Sequence, residues 1–124
     1  MKSYTDLEQS KKLAEILPLE SADMYYEKVC NLPEVIVGNY ILHNQCMEDK
    51  DYKKLSNPVL SPAWSLAALL SVLPFVDFTM PQLIGTPKTL YRCMYNDNLK
   101  SHAYDNPVDA CYEMILKLHE LKKL

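Results

Sequence analysis

The sequence predicts an α+β fold, an antiparallel sheet of hairpins with helices packed on one face. Capped, amphipathic helical patterns open and close the chain. The segments between them alternate apolar with polar residues or are rich in β-branched and aromatic types. A proline-bounded apolar stretch, SPAWSLAALLSVLP, lies in the middle. The predicted order is α-β-β-α-β-β-β-α. With 124 residues the chain is expected to form a single domain, 1–124, able to bury roughly 65% of its unfolded surface.

The first helix is expected over residues 4–17. Thr5 is placed as N-cap and Glu8 completes a capping box. Leu7, Leu13, Ala14 and Leu17 share one face, and Pro18 ends the helix. Residues 22–30 and 35–42 read as two strands of a hairpin around the turn at 31–34. Residues 44–57 are polar and form a solvated connection.

Ser61 then suits an N-cap and Pro62 the first helical position, with Pro74 as the stop. No charge occurs between residues 55 and 76, so a central helix buried on nearly all sides is expected. Its apolar run, 66–70, is far short of the ~20 residues a membrane span needs. Trp64, Leu66, Leu69 and Leu70 are its expected core residues.

Val76, Phe78 and Met80 alternate with polar neighbours as a strand, and Pro81 with Gly85, Thr86 and Pro87 reads as a loop. Residues 88–95 and 99–104 flank Asn96, Asp97 and Asn98, which suit a hairpin turn. The last helix takes Asn106 as N-cap and Pro107 at the first position. Val108, Cys111, Ile115 and Leu118 are its buried stripe; Asp109, Glu113, Lys117 and Glu120 line the opposite face.

Composition narrows the function. Apolar residues make up 48% and charged residues 23%, a globular mixture, and the net charge of −3 gives no general attraction to nucleic acid. Only two glycines, Gly38 and Gly85, are present and they stand apart, which excludes a phosphate-cradling glycine loop. No signal peptide or anchor follows Met1, so the expected location is cytoplasmic, with no membrane contact. Cys30, Cys46, Cys93 and Cys111 contain no C-x-x-C and read as free, mostly buried thiols.

The stretches PAWSLAALLSVLP and NPVDACYEMILKLHEL, a strand pair between them, and LEQSKKLAEILPLESADM near the start resemble a family of small proteins from Bacteroidales bacteria and their phages and mobile elements. The resemblance covers both ends and the centre, and is least over residues 25–57. It implies a phage or mobile-element context and assigns no catalytic residue.

Few residue patterns carry chemistry. His43 and Cys46, with Cys30 as a third ligand, have a zinc-compatible spacing, but a second tight pair is missing, so no metal is expected. Ser65 with His102 or His119 and Asp109 lacks the G-x-S-x-G elbow of a nucleophile. The carboxylates Asp23, Glu27, Glu34, Asp77, Asp97 and Asp105 are scattered, and no catalytic pair or cofactor is assigned. Lys88, Arg92 and Lys100 near Tyr91, Tyr95 and Tyr104 have the basic and aromatic character used to stack single-stranded bases.

Nine tyrosines fit a protein-contact surface more economically. The expected function is that of a small accessory protein acting by protein binding, with a homodimer as the simplest partner. A single-stranded nucleic-acid-associated regulator is the alternative, and a small enzyme the third reading. Tyr91, Arg92 and Tyr95 are the expected partner contact; Ile115 and Leu118 join the expected core.

The denatured protein, prepared without oxidation, is expected to titrate four thiols and to carry no stoichiometric zinc. Thiol titration and elemental analysis check both; one zinc per chain or missing thiols would overturn this expectation.

Overall fold

The structure, a computed structural model, describes residues 2–28, 40–43, 60–74, 76, 81–85 and 90–124. It is an α+β fold with three α-helices and two three-stranded antiparallel sheets among the described residues. The elements are α1 (Leu7–Ala14), β1 (Met24–Lys28), β2 (Tyr40–His43), β3 (Leu60–Ala63), α2 (Leu66–Val72), β4 (Gln82–Gly85), β5 (Tyr91–Asn96), β6 (Leu99–Lys100) and α3 (Pro107–Glu120). The chain divides into two compact units, Asp6–Trp64 and Met1–Thr5 with Ser65–Leu124.

In the unit formed by Asp6–Trp64 the sheet order is β2-β1-β3. β1 pairs antiparallel with β2, as the predicted hairpin requires, and with β3 on its other side. α1 packs on β3. Its N-cap is Asp6 rather than Thr5: Asp6 Oδ1 accepts from Gln9 N at 2.8 Å, and Gln9 Oε1 accepts from Asp6 N at 3.1 Å. Aspartate caps as well as threonine does, and Thr5 is fully buried instead. Leu13 and Leu17 are buried on the expected face.

The largest departure from the sequence reading lies at residues 61–64. Ser61, Pro62 and Ala63 belong to β3, with Pro62 opposite Tyr25. β3 is an edge strand among the described strands, where the missing proline N–H is tolerated. The same Ser-Pro punctuation serves a helix start or an edge strand, and pairing with β1 decides for the strand. Trp64, 0% exposed, therefore sits ahead of the helix and not in its first turn. Its indole Nε1 donates to Ser21 Oγ at 3.0 Å, which satisfies the one polar atom of a large buried side chain.

In the other unit α2 begins at Ser65, whose hydroxyl accepts from Ala68 N at 3.2 Å. The helix is not buried all round. Leu69 and Ala68 face inward, Leu66 is half-buried, and Leu70 is 37% exposed beside exposed Ala67 and Ser71. Leu70 is thus removed from the core: a helix of seven residues packed against α3 covers one face only.

The second sheet has the order β4-β5-β6. Residues 82–85, expected as loop, form β4 and pair with β5 from Gln82 opposite Met94 to Gly85 opposite Tyr91. Pro81 stands directly before this short strand. The predicted strand over 76–80 lies outside the described residues except for Val76, which is buried. The β5–β6 turn is set by Asn96, whose Oδ1 accepts from Asn98 N at 2.8 Å and Leu99 N at 2.9 Å.

α3 packs on β5. Asn106 caps it through Asp109 N at 2.9 Å, with Pro107 at the first position, as the sequence predicts. Val108, Cys111, Met114, Ile115 and Leu118 are all fully buried.

Replacing Trp64 by Ala is expected to cost about 3–5 kcal/mol. Chemical denaturation measures the loss, and a blue-shifted native tryptophan emission checks the burial. Emission typical of full water exposure would contradict it.

Candidate functional site

The alternation of β5 decides which side chains remain accessible. Cys93, 0% exposed, and Tyr95, 6% exposed, point inward. Arg92 and Met94, on the other face, are only half-buried. Tyr95 donates its hydroxyl to Pro74 O at 2.6 Å and is spent in packing. This corrects the expected contact of Tyr91, Arg92 and Tyr95: Tyr95 is a core residue, Tyr91 is half-buried, and Arg92 faces away from both. One face of the hairpin had to lie on the helix, and it is the face that carries tyrosine and cysteine.

Glu113 fixes the loop after the hairpin. Its Oε2 accepts from His102 N at 2.8 Å, and its Oε1 lies 2.6 Å from His102 Nδ1 and 2.7 Å from the Tyr104 hydroxyl, which donates to it. Lys117 Nζ lies 3.5 Å away, one helical turn on, and donates to Lys100 O at 2.6 Å. Burial works to raise the Glu113 carboxyl, but the bonds from His102 and Tyr104 and the charge of Lys117 outweigh it and hold it below the usual carboxylate range. Donation to that carboxylate, with some burial, pushes the Tyr104 hydroxyl up to about 12. Tyr95 is pushed up to about 12 by burial first, the neighbouring Cys93 and Cys111 sulfurs adding to it.

Beside this network an open cleft of about 280 Å³ is lined by Arg92, Asp97, Asn98, Lys100, Ser101, His102 and Lys117. Three cations from β5, β6 and α3 meet there. Arg92 Nε is buried with no hydrogen-bond partner among the described residues. The structure therefore joins two of the predicted basic residues, Arg92 and Lys100; Lys88 lies outside the described residues. Lys117, Glu113 and His102 were not foreseen as part of it. The Glu113–Lys117 spacing was the available signal, although it reads equally well as an exposed helical pair.

The other candidates are spent elsewhere. Ser65 caps α2, and Asp109 holds the Lys2 ammonium at 2.8 Å and the Asn106 amide at 2.9 Å. His102 is tied to Glu113, so these residues form no triad. Cys30 and Cys46 lie outside the described residues, as does the His43 side chain. Among the described residues no group of three or more metal-ligating side chains is close enough to hold a metal.

Cys93 and Cys111 are free thiols, both buried, one on β5 and the other on α3. The neighbouring Cys93 thiol and burial push the Cys111 thiol up, so it stays protonated at neutral pH. Among the described residues no helix is long and apolar enough to cross a membrane. In comparisons with known proteins, no family model, curated protein or solved structure matches the chain.

The Glu113 pKa is depressed on folding, so its stabilisation is full above the unfolded glutamate value and is lost as pH falls through the folded one. Glu113→Gln is expected to lower stability at neutral pH by about 1–3 kcal/mol and to flatten the acid limb of a stability–pH curve. Tyr95 and Tyr104 have the opposite sign. Their stabilisation is intact below about 10 and lost as pH rises toward about 12. Ultraviolet titration of tyrosinate is expected to show Tyr95 and Tyr104 among the late tyrosines, with Tyr104→Phe removing one late step.

Proposed function

We propose that the protein acts by binding, as a small accessory protein whose cleft takes an anionic group presented by a partner protein. One observation carries the reading. Arg92 and Lys100, from neighbouring strands, direct two cations into one concavity and have no carboxylate partner among the described residues. Most surface lysines and arginines are solvated singly; two converging with a third, Lys117, held in place by Glu113, give a local field of one sign. Their backbone positions are set by the pairing of the strands, and the loop beside them is tied down by the Glu113 bonds.

A phage or mobile-element setting fits an accessory role of this kind. The proposed site of action is the cytoplasm, supported by the free state of Cys93 and Cys111. The second reading, association with single-stranded nucleic acid, draws on the same Arg92 and Lys100 and on half-buried Tyr104, which donates to Glu113.

Fluorescence anisotropy with a labelled acidic peptide and a labelled single-stranded oligonucleotide tests the proposal. Binding of the peptide is expected, weakening as salt rises from about 50 to 200 mM. It is expected to fall at least about tenfold in Arg92→Ala/Lys100→Ala, with the thermal transition unchanged. Binding of the oligonucleotide alone, or equal peptide binding by the double variant, would overturn it.

A further inference from the structure

Resting on the reading of the cleft as an anion-binding surface, we infer that its ligand is a single phosphate monoester on a partner protein, a phosphorylated serine or threonine side chain. The charge balance decides the chemistry. Lys117 is already answered by Glu113 at 3.5 Å and donates to Lys100 O. Arg92 and Lys100 are not answered by any described carboxylate. A carboxylate ligand brings one negative charge and leaves one of these cations unmatched. A phosphate monoester brings roughly 1.5–2 charges at neutral pH and three acceptor oxygens, enough for both. Asp97 is the acidic member of the lining, but it is exposed on the turn, where water and salt screen it.

Arg92 adds directionality. A guanidinium presents paired N–H groups that match two oxygens of one phosphate, which a lysine cannot do. Its buried Nε lacks an acceptor among the described residues. His102 also lines the cleft, its Nδ1 held 2.6 Å from Glu113 on a side chain 81% exposed.

Size and shape favour a side chain over a nucleic-acid strand. About 280 Å³ lies at the low end for ligand pockets and admits an end group rather than a whole cofactor. A strand needs cations strung along successive phosphates, whereas here they converge on one concavity in a chain of net charge −3.

Nuclear magnetic resonance titration of the full isotope-labelled chain tests the inference with three probes. These are a short peptide with one phosphoserine, the same peptide with glutamate at that position, and a 5′-phosphorylated single-stranded oligonucleotide. The phosphopeptide is expected to shift the Lys100, Ser101 and His102 amides and to bind at least about tenfold more tightly than its glutamate counterpart. Arg92→Lys is expected to remove most of that preference while the rest of the amide spectrum stays in place, and Asp97→Asn to tighten phosphopeptide binding. Equal affinity for the glutamate peptide would overturn the phosphate assignment and leave the anion cleft standing. Tighter binding of the oligonucleotide would overturn the protein partner. If no probe moves the cleft residues, the inference and the reading beneath it fail together.

Discussion

The carboxylate of Glu113 is the interaction on which the geometry of the C-terminal unit depends. Strand β6 has only two residues, and the segment after it is held to β5 by Ser101 N donating to Cys93 O and by the Tyr91–Tyr104 bridge. Glu113 adds a constraint from the helix. It takes the backbone N–H and the ring of His102 together with the Tyr104 hydroxyl, and it steadies Lys117 one turn along. Charge-assisted bonds of this kind are short and directional, so His102 and Lys117 in the lining of the cleft are placed by one acidic side chain.

Beneath that polar clamp lies an apolar seam. Cys93 and Tyr95 face inward from β5, and Cys111, Met114, Ile115 and Leu118 are buried on α3. Two adjacent thiols act there as small hydrophobes, and the Tyr95 hydroxyl finds the Pro74 carbonyl rather than solvent. Because strand side chains alternate, burying Cys93 and Tyr95 turns Arg92 to the opposite face. The cleft is thus a consequence of the core: whatever fixes Cys93 inward fixes Arg92 outward.

The unit formed by Asp6–Trp64 depends on a different constraint. β1 is the centre of its sheet and can accept a strand on both edges, so residues 60–63 complete it. Trp64 closes that strand fully buried, with Ser21 taking its indole N–H. A Ser-Pro pair that would start a helix elsewhere becomes edge strand here, since an edge needs no proline N–H.

Local chemistry in the sequence determined what needs no partner. Asn106, Pro107 and Asp109 specify the start of α3, the apolar stripe of that helix specifies its buried face, and the Asn-rich turn specifies the β5–β6 hairpin. The pairing of the first hairpin was legible too, from two aromatic and β-branched segments around a short turn. Tertiary structure decided everything that depended on a free edge or a shared face. It made residues 61–63 a strand, recruited 82–85 into the second sheet, exposed Leu70 on α2 and buried Tyr95. It also brought Arg92, Lys100 and Lys117 to one place. Caps, turns and apolar periodicity are written within a few residues of one another, whereas strand pairing and the meeting of charges join residues far apart in the chain, through contacts that only the packed fold supplies.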